Sequence, residues 1–153
     1  MNEGTEHASV SPLPGLESAP PPCPFCCIVA GSLDSAVLYE DETTLAFLDI
    51  TAVTEGHTLV IPKRHATDLW DITESDAAAV MRTAHRLAAR LRDVLAPEGL
   101  TLFQANRPAG WQDVFHLHVH VVPRSAADHL QRPWVASPRP LAELEPVRAR
   151  LAI

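Results

Sequence analysis

No apolar run in this sequence is long enough to cross a bilayer. The N-terminus, MNEGTEHASV, lacks both the basic and the apolar region of a secretory signal. Neither membrane association nor secretion is expected. The chain also lacks net positive charge. Its formal charge is −7, which argues against a nonspecific binder of duplex nucleic acid but leaves room for one nucleotide in a local pocket. Cysteine is scarce and confined to Cys23, Cys26 and Cys27. These are too close together for a disulfide framework, so a reducing cytoplasm is the expected setting. No internal repeat is visible.

Residues 1–22 have no aromatic side chain and carry Pro12, Pro14, Pro20, Pro21 and Pro22. With so little to bury, they are expected to form a disordered tail. What remains is of ordinary globular composition, 46% hydrophobic in 153 residues, enough for one domain with a normal core. That domain is expected over residues 23–124, with 125–153 as a C-terminal extension.

The apolar segment Phe25–Ala30 suggests a turn or two of helix. Val37–Tyr39 and Thr44–Asp49, separated by Asp41-Glu42, read as a hairpin. His57–Pro62 reads as a third strand. Ala77, Val80, Met81, Ala84, Leu87, Ala88 and Leu91 recur at helical spacing. Thr73 is a candidate N-cap with Asp76 three residues on, and the helix is expected to end before Pro97-Glu98-Gly99. Leu100–Gln104 and Phe115–Val122 read as the last two strands. A short helix is possible over Leu141–Leu151, and Trp134 is the one aromatic after Pro123. Strands, one long helix and more strands predict an α+β domain with a mostly antiparallel sheet.

Phe115–Val122 alternates strictly, so as a strand it puts His116, His118 and His120 on one face. Alternate residues are roughly 6.6 Å apart along a strand, close enough for one ligand to touch two rings. Three readings fit these residues: a polar outer face, a three-histidine metal centre, or nucleophilic and general-acid work by neutral and protonated imidazoles. Cys23-x-x-Cys26 also has three readings: a redox dithiol, plain buried cysteine, or half of a zinc site.

The stretch His116-Leu-His118-Val-His120-Val-Val resembles the signature of the histidine triad family. So do Cys23-Pro-Phe-Cys26, Leu45-Ala-Phe-Leu-Asp49-Ile, Gly56-His57-Thr-Leu-Val-Ile-Pro-Lys63 and Gln112, in that order along the chain. The resemblance implies a five-stranded, mostly antiparallel sheet with one long helix, paired into a homodimer. It implies that His118 attacks an α-phosphorus to form a nucleotidyl-histidine, with His120 on the phosphate and His57 supporting the pair from the next strand. Asp49 is expected on the ribose hydroxyls and Phe25, Ile28 and Ile50 around a purine base. The amides of Asn106 and Gln112 are expected at the phosphate and leaving group. Some bacterial relatives use the cysteine pair with two later histidines, which implies a structural zinc on Cys23, Cys26, His65 and His116.

One position departs from the phosphoramidase pattern. Three residues before His116, where those members often have serine, stands Asp113. Arg107-Pro108 and Trp111 make the same loop bulky. The expected activity is hydrolysis of a purine nucleotide phosphoramidate or acyl-adenylate. The alternatives are a dinucleoside polyphosphate hydrolase or phosphorylase, and a purine-nucleotide sensor that barely turns over.

Overall fold

The computed structural model describes residues 22–131 and 136–153. The expected N-terminal tail, except Pro22, and Trp134 lie outside the described residues. The elements are α1 (Pro24–Val29), β1 (Val37–Glu40), β2 (Thr44–Leu48), β3 (Thr58–Pro62), α2 (Glu74–Leu95), β4 (Gly99–Phe103), β5 (Val119–Arg124) and α3 (Leu141–Leu151). The five strands form one antiparallel sheet in the order β1-β2-β3-β5-β4.

The β1–β2 turn is built by Asp41. Its Oδ1 accepts hydrogen bonds from the backbone N–H groups of Thr43 and Thr44, at 2.9 and 2.7 Å, a turn chemistry to which aspartate is suited. At α2, Thr73 is the N-cap and its hydroxyl accepts from the Asp76 N–H at 3.3 Å, as the sequence predicts. The helix ends at Ala96 in the left-handed conformation, ahead of Pro97.

The apolar stripe of α2 (Val80, Ala84, Leu87, Leu91) packs on Ala46, Val60, Val119 and Val121. Each large side chain buried there contributes about 1.5–3 kcal/mol. The opposite sheet face carries Leu45, Phe47, Leu59 and Ile61, covered by Phe25 of α1. Leu59 is the cross-strand partner of His120, so His120 belongs to this second face, away from α2.

The last strand starts later than the sequence suggests. The expected strand Phe115–Val122 is β5, Val119–Arg124, and His116 and His118 precede it. The β3–β5 ladder stops at Val60↔Val119 because continuing it would bring in Pro62, which has no N–H to donate. The Pro62 carbonyl instead faces Nε2 of His116 at 2.8 Å, and the Leu117 N–H donates to Ala66.

Helix α3 forms where the sequence allows it, but none of its residues is buried. Among the described residues, no helix is long and apolar enough to cross a membrane.

Candidate active site and metal-ligand cluster

Hydrogen bonding fixes the tautomers of three histidines. Nδ1 of His118 lies 2.7 Å from the His116 carbonyl oxygen and must donate to it, which leaves Nε2 with a free lone pair. The Val53 N–H donates to Nδ1 of His57 at 3.3 Å, so in neutral His57 the proton sits on Nε2. That Nε2–H faces Nδ1 of His120 at 2.9 Å and Oδ2 of Asp49 at 3.5 Å. With Nδ1 as acceptor, neutral His120 keeps its own proton on Nε2. The His118 and His120 rings are 4.9 Å apart. One nitrogen lone pair and one N–H donor are thus side by side.

Burial, then the neighbouring His118 and His57, pushes His120 from 6.5 down to about 4. His57 is also lowered by burial, with Asp49 opposing. Burial of Asp49 favours its neutral form. The Thr51 hydroxyl and amide and the two nearby histidines outweigh this and hold its pKa below the usual value.

The other predicted residues are distributed unevenly. Phe25 is buried, with its ring edge-on to His118 at 5.3 Å and to His116 at 5.8 Å. Ile28 packs partly buried against the Phe25 cluster. Ile50 does not join them. It is 99% exposed on the turn after β2. Asp49 is already engaged: Oδ1 accepts from the Thr51 N–H and hydroxyl, both at 2.7 Å, and Oδ2 faces His57.

Gln112 is committed to the loop. Its Oε1 accepts from the Arg107 N–H at 2.6 Å, and its amide group donates to the carbonyls of Thr67 and Val114. Asn106 accepts from the Leu69 N–H and pairs with Gln104. Both amides therefore brace the loop beside the histidines. Asp113 stands nearer the rings, with Oδ1 3.7 Å from Nε2 of His118.

Three contacts escaped the sequence. Phe103 of β4 lies 5.1 Å from the His120 ring, the Val53 amide sets the His57 tautomer, and Asp68 pairs with Arg107 at 2.9 Å. Strand register alone could have pointed to Phe103, which sits opposite His120.

A second cluster joins α1 to the histidine segment. One ligand atom from each of Cys23, Cys26, His65 and His116 falls within 4.8 Å of all the others. Nδ1 of His116 is 3.5 Å from Sγ of Cys23 and 3.6 Å from Sγ of Cys26, while His65 Nδ1 is 3.3 Å from Sγ of Cys26. Tetrahedral zinc with ordinary Zn–S and Zn–N bonds requires about 3.6 Å between S and N. The Pro62 carbonyl takes the other ring proton of His116, which turns the bare Nδ1 to the sulfurs. Burial and the adjacent Cys23 and Cys27 sulfurs push the Cys26 thiol up to about 11, a cost that a bound cation reverses. The donor set fits zinc.

The family model of the HIT domain matches residues 30–127. The chain belongs to the histidine triad (HIT) family. Protein hit of Bacillus subtilis is 45% identical over 102 residues, 67% of this chain and 70% of that protein. The crystal structure of a zinc-bound histidine triad family protein from Mycobacterium smegmatis is 39% identical. It superposes with a TM-score of 0.69, covering 86% of this chain and 94% of that one. A histidine triad nucleotide-binding protein from Candida albicans is 30% identical with a TM-score of 0.76, covering 84% of this chain and 94% of that one.

Proposed function

We propose that this HIT protein is a nucleotidyl hydrolase acting on purine nucleotide phosphoramidates or acyl-adenylates through a nucleotidyl-His118 intermediate. The observation that carries the reading is the His118 tautomer: Nδ1–H is spent on the His116 carbonyl, so in the neutral ring Nε2 carries the nucleophilic lone pair. In the first step Nε2 bonds to the α-phosphorus. The bond to the leaving group breaks, its electron pair departs with that group, and a departing amine takes a proton from solvent. In the second step water oxygen bonds to phosphorus and gives up a proton to solvent. The N–P electron pair returns to Nε2, and the nucleoside monophosphate is released.

His120 supports both steps. Its Nε2–H donates to a phosphate oxygen because His57, held by Val53 and facing Asp49, keeps Nδ1 as the acceptor. Phe25 and Ile28 supply the apolar side of a purine site.

The zinc-bound M. smegmatis relative and the fitting donor set support a structural zinc on Cys23, Cys26, His65 and His116. Metal analysis of the purified protein is expected to find one zinc per chain. A homodimer is expected through the solvent side of α2 and the edge strand β4, where Met81 and Leu102 remain exposed.

The test offers adenosine 5′-phosphoramidate and a dinucleoside polyphosphate side by side, with wild type and His118→Ala. AMP release from the amide, lost by 10²-fold or more in the variant while nucleotide affinity persists, is the expected result. Release from the dinucleotide alone would place the protein among polyphosphate hydrolases. Tight binding without release from either would leave a nucleotide sensor.

A further inference from the structure

The site carries a negative charge where its substrate is itself an anion. Val114 N–H donates to Oδ1 of Asp113 at 2.8 Å and so fixes the carboxylate. The same oxygen lies 3.7 Å from Nε2 of His118, the atom with the free lone pair. The Asp113 side chain is 83% exposed, facing whatever enters beside that nitrogen. Asp49 adds a second carboxylate on the far side of His120.

Among the described residues, two cations on the flanking segments are already paired with carboxylates. Arg107, on the loop braced by Gln112, is paired with Asp68 and stacked over Trp70 at 4.7 Å. Lys63, at the end of β3, is paired with Glu40. A polyphosphate leaving group needs cationic neutralisation beside the reacting phosphorus; here a fixed carboxylate meets it.

We infer that Asp113 is a charge filter on the leaving-group side of His118, favouring nucleotide conjugates whose departing group carries a cationic tail over those whose departing group carries an anionic tail or further phosphates. The inference rests on the catalytic reading above and adds to it a substrate class and the residue that selects it. Asp113 takes no proton and forms no bond in this role. It acts through space, so its effect is largest in dilute buffer and fades with salt.

The experiment uses three adenosine 5′-phosphoramidates with three-carbon tails, made from propylamine, 1,3-diaminopropane and β-alanine. Their tails are neutral, cationic and anionic. With the full-length wild type in low salt, kcat/KM for the cationic substrate should exceed that for the anionic one by roughly tenfold, the size expected for one charge at several ångströms in a solvated cleft. The ratio should shrink severalfold in 1 M salt. Asp113→Asn should bring it close to one in low salt, and Asp113→Lys should invert it.

A ratio near one in the wild type, or one that survives in Asp113→Asn, overturns the filter. In either case turnover of the neutral propylamide shows that the catalytic reading still stands. If none of the three amides is turned over, the catalytic reading fails and the filter fails with it.

Discussion

Gln112 satisfies three backbone groups with one side chain. It is buried, and it accepts from Arg107 while donating to Thr67 and Val114. Arg107 and Trp111, either side of the short 3-10 turn Pro108–Gly110, both have positive φ, at 60° and 71°. Non-glycine residues hold that conformation only when their surroundings impose it. Gln112→Ala would leave part-buried N–H and C=O groups without their side-chain partner, at about 1–3 kcal/mol. We expect a correspondingly lower denaturation midpoint and a fall in kcat larger than any rise in KM, because the loop that carries Asp113 and leads into His116 and His118 would loosen. Urea denaturation and steady-state kinetics check the two effects separately.

At the scale of elements, α2 combines a well-formed start with a strained end. Thr73 supplies the cap, but Ala96 closes the helix at φ 47° and ψ 48°, a left-handed position that a Cβ disfavours. Ala96→Gly is expected to stabilise the protein by about 0.5–1 kcal/mol, since the relief outweighs the extra freedom glycine gives the unfolded chain. Thermal denaturation should register a rise, and an unchanged or lower midpoint would mean that packing around Ala96 matters more than its backbone. Gly56 is a different case. Its φ is 80°, and a Cβ there would meet Leu95 Cδ1 at 2.5 Å and Leu91 Cδ2 at 3.1 Å. Only glycine lets the chain turn into β3 this close to the end of α2.

Across the whole molecule, the histidines on the site face couple stability to pH. His120 falls from 6.5 to about 4 and His57 is lowered too, each first by burial. Between those values the unfolded chain binds more protons than the folded one, so stability rises with pH there. The contribution is fully present above about pH 6.5 and is lost progressively as pH falls towards 4. Urea midpoints of wild type should therefore drop between pH 7 and pH 5, and His120→Gln should drop less over the same interval. An equal drop in the variant would assign the acid sensitivity elsewhere.

The sequence by itself determined the family, the elements and the residues with chemistry to offer. Periodicity places α2 and Thr73 with little ambiguity, because amphipathic spacing and capping are local properties. The ordered motifs likewise supply His57, His118, His120 and the four members of the cysteine–histidine cluster. Only the tertiary structure decided what each side chain is free to do. Strict alternation predicts a strand through His116, yet Pro62 on the neighbouring strand ends the ladder at Val119. Both N–H groups of Gln112 and the side-chain oxygen of Asn106 are engaged within the loop, and Ile50 is exposed. The proton positions on His57 and His118 follow from two backbone groups, the Val53 N–H and the His116 carbonyl. The physical reason is common to these cases. A hydrogen bond is set by where two chain segments meet, and no local pattern of residues encodes that meeting.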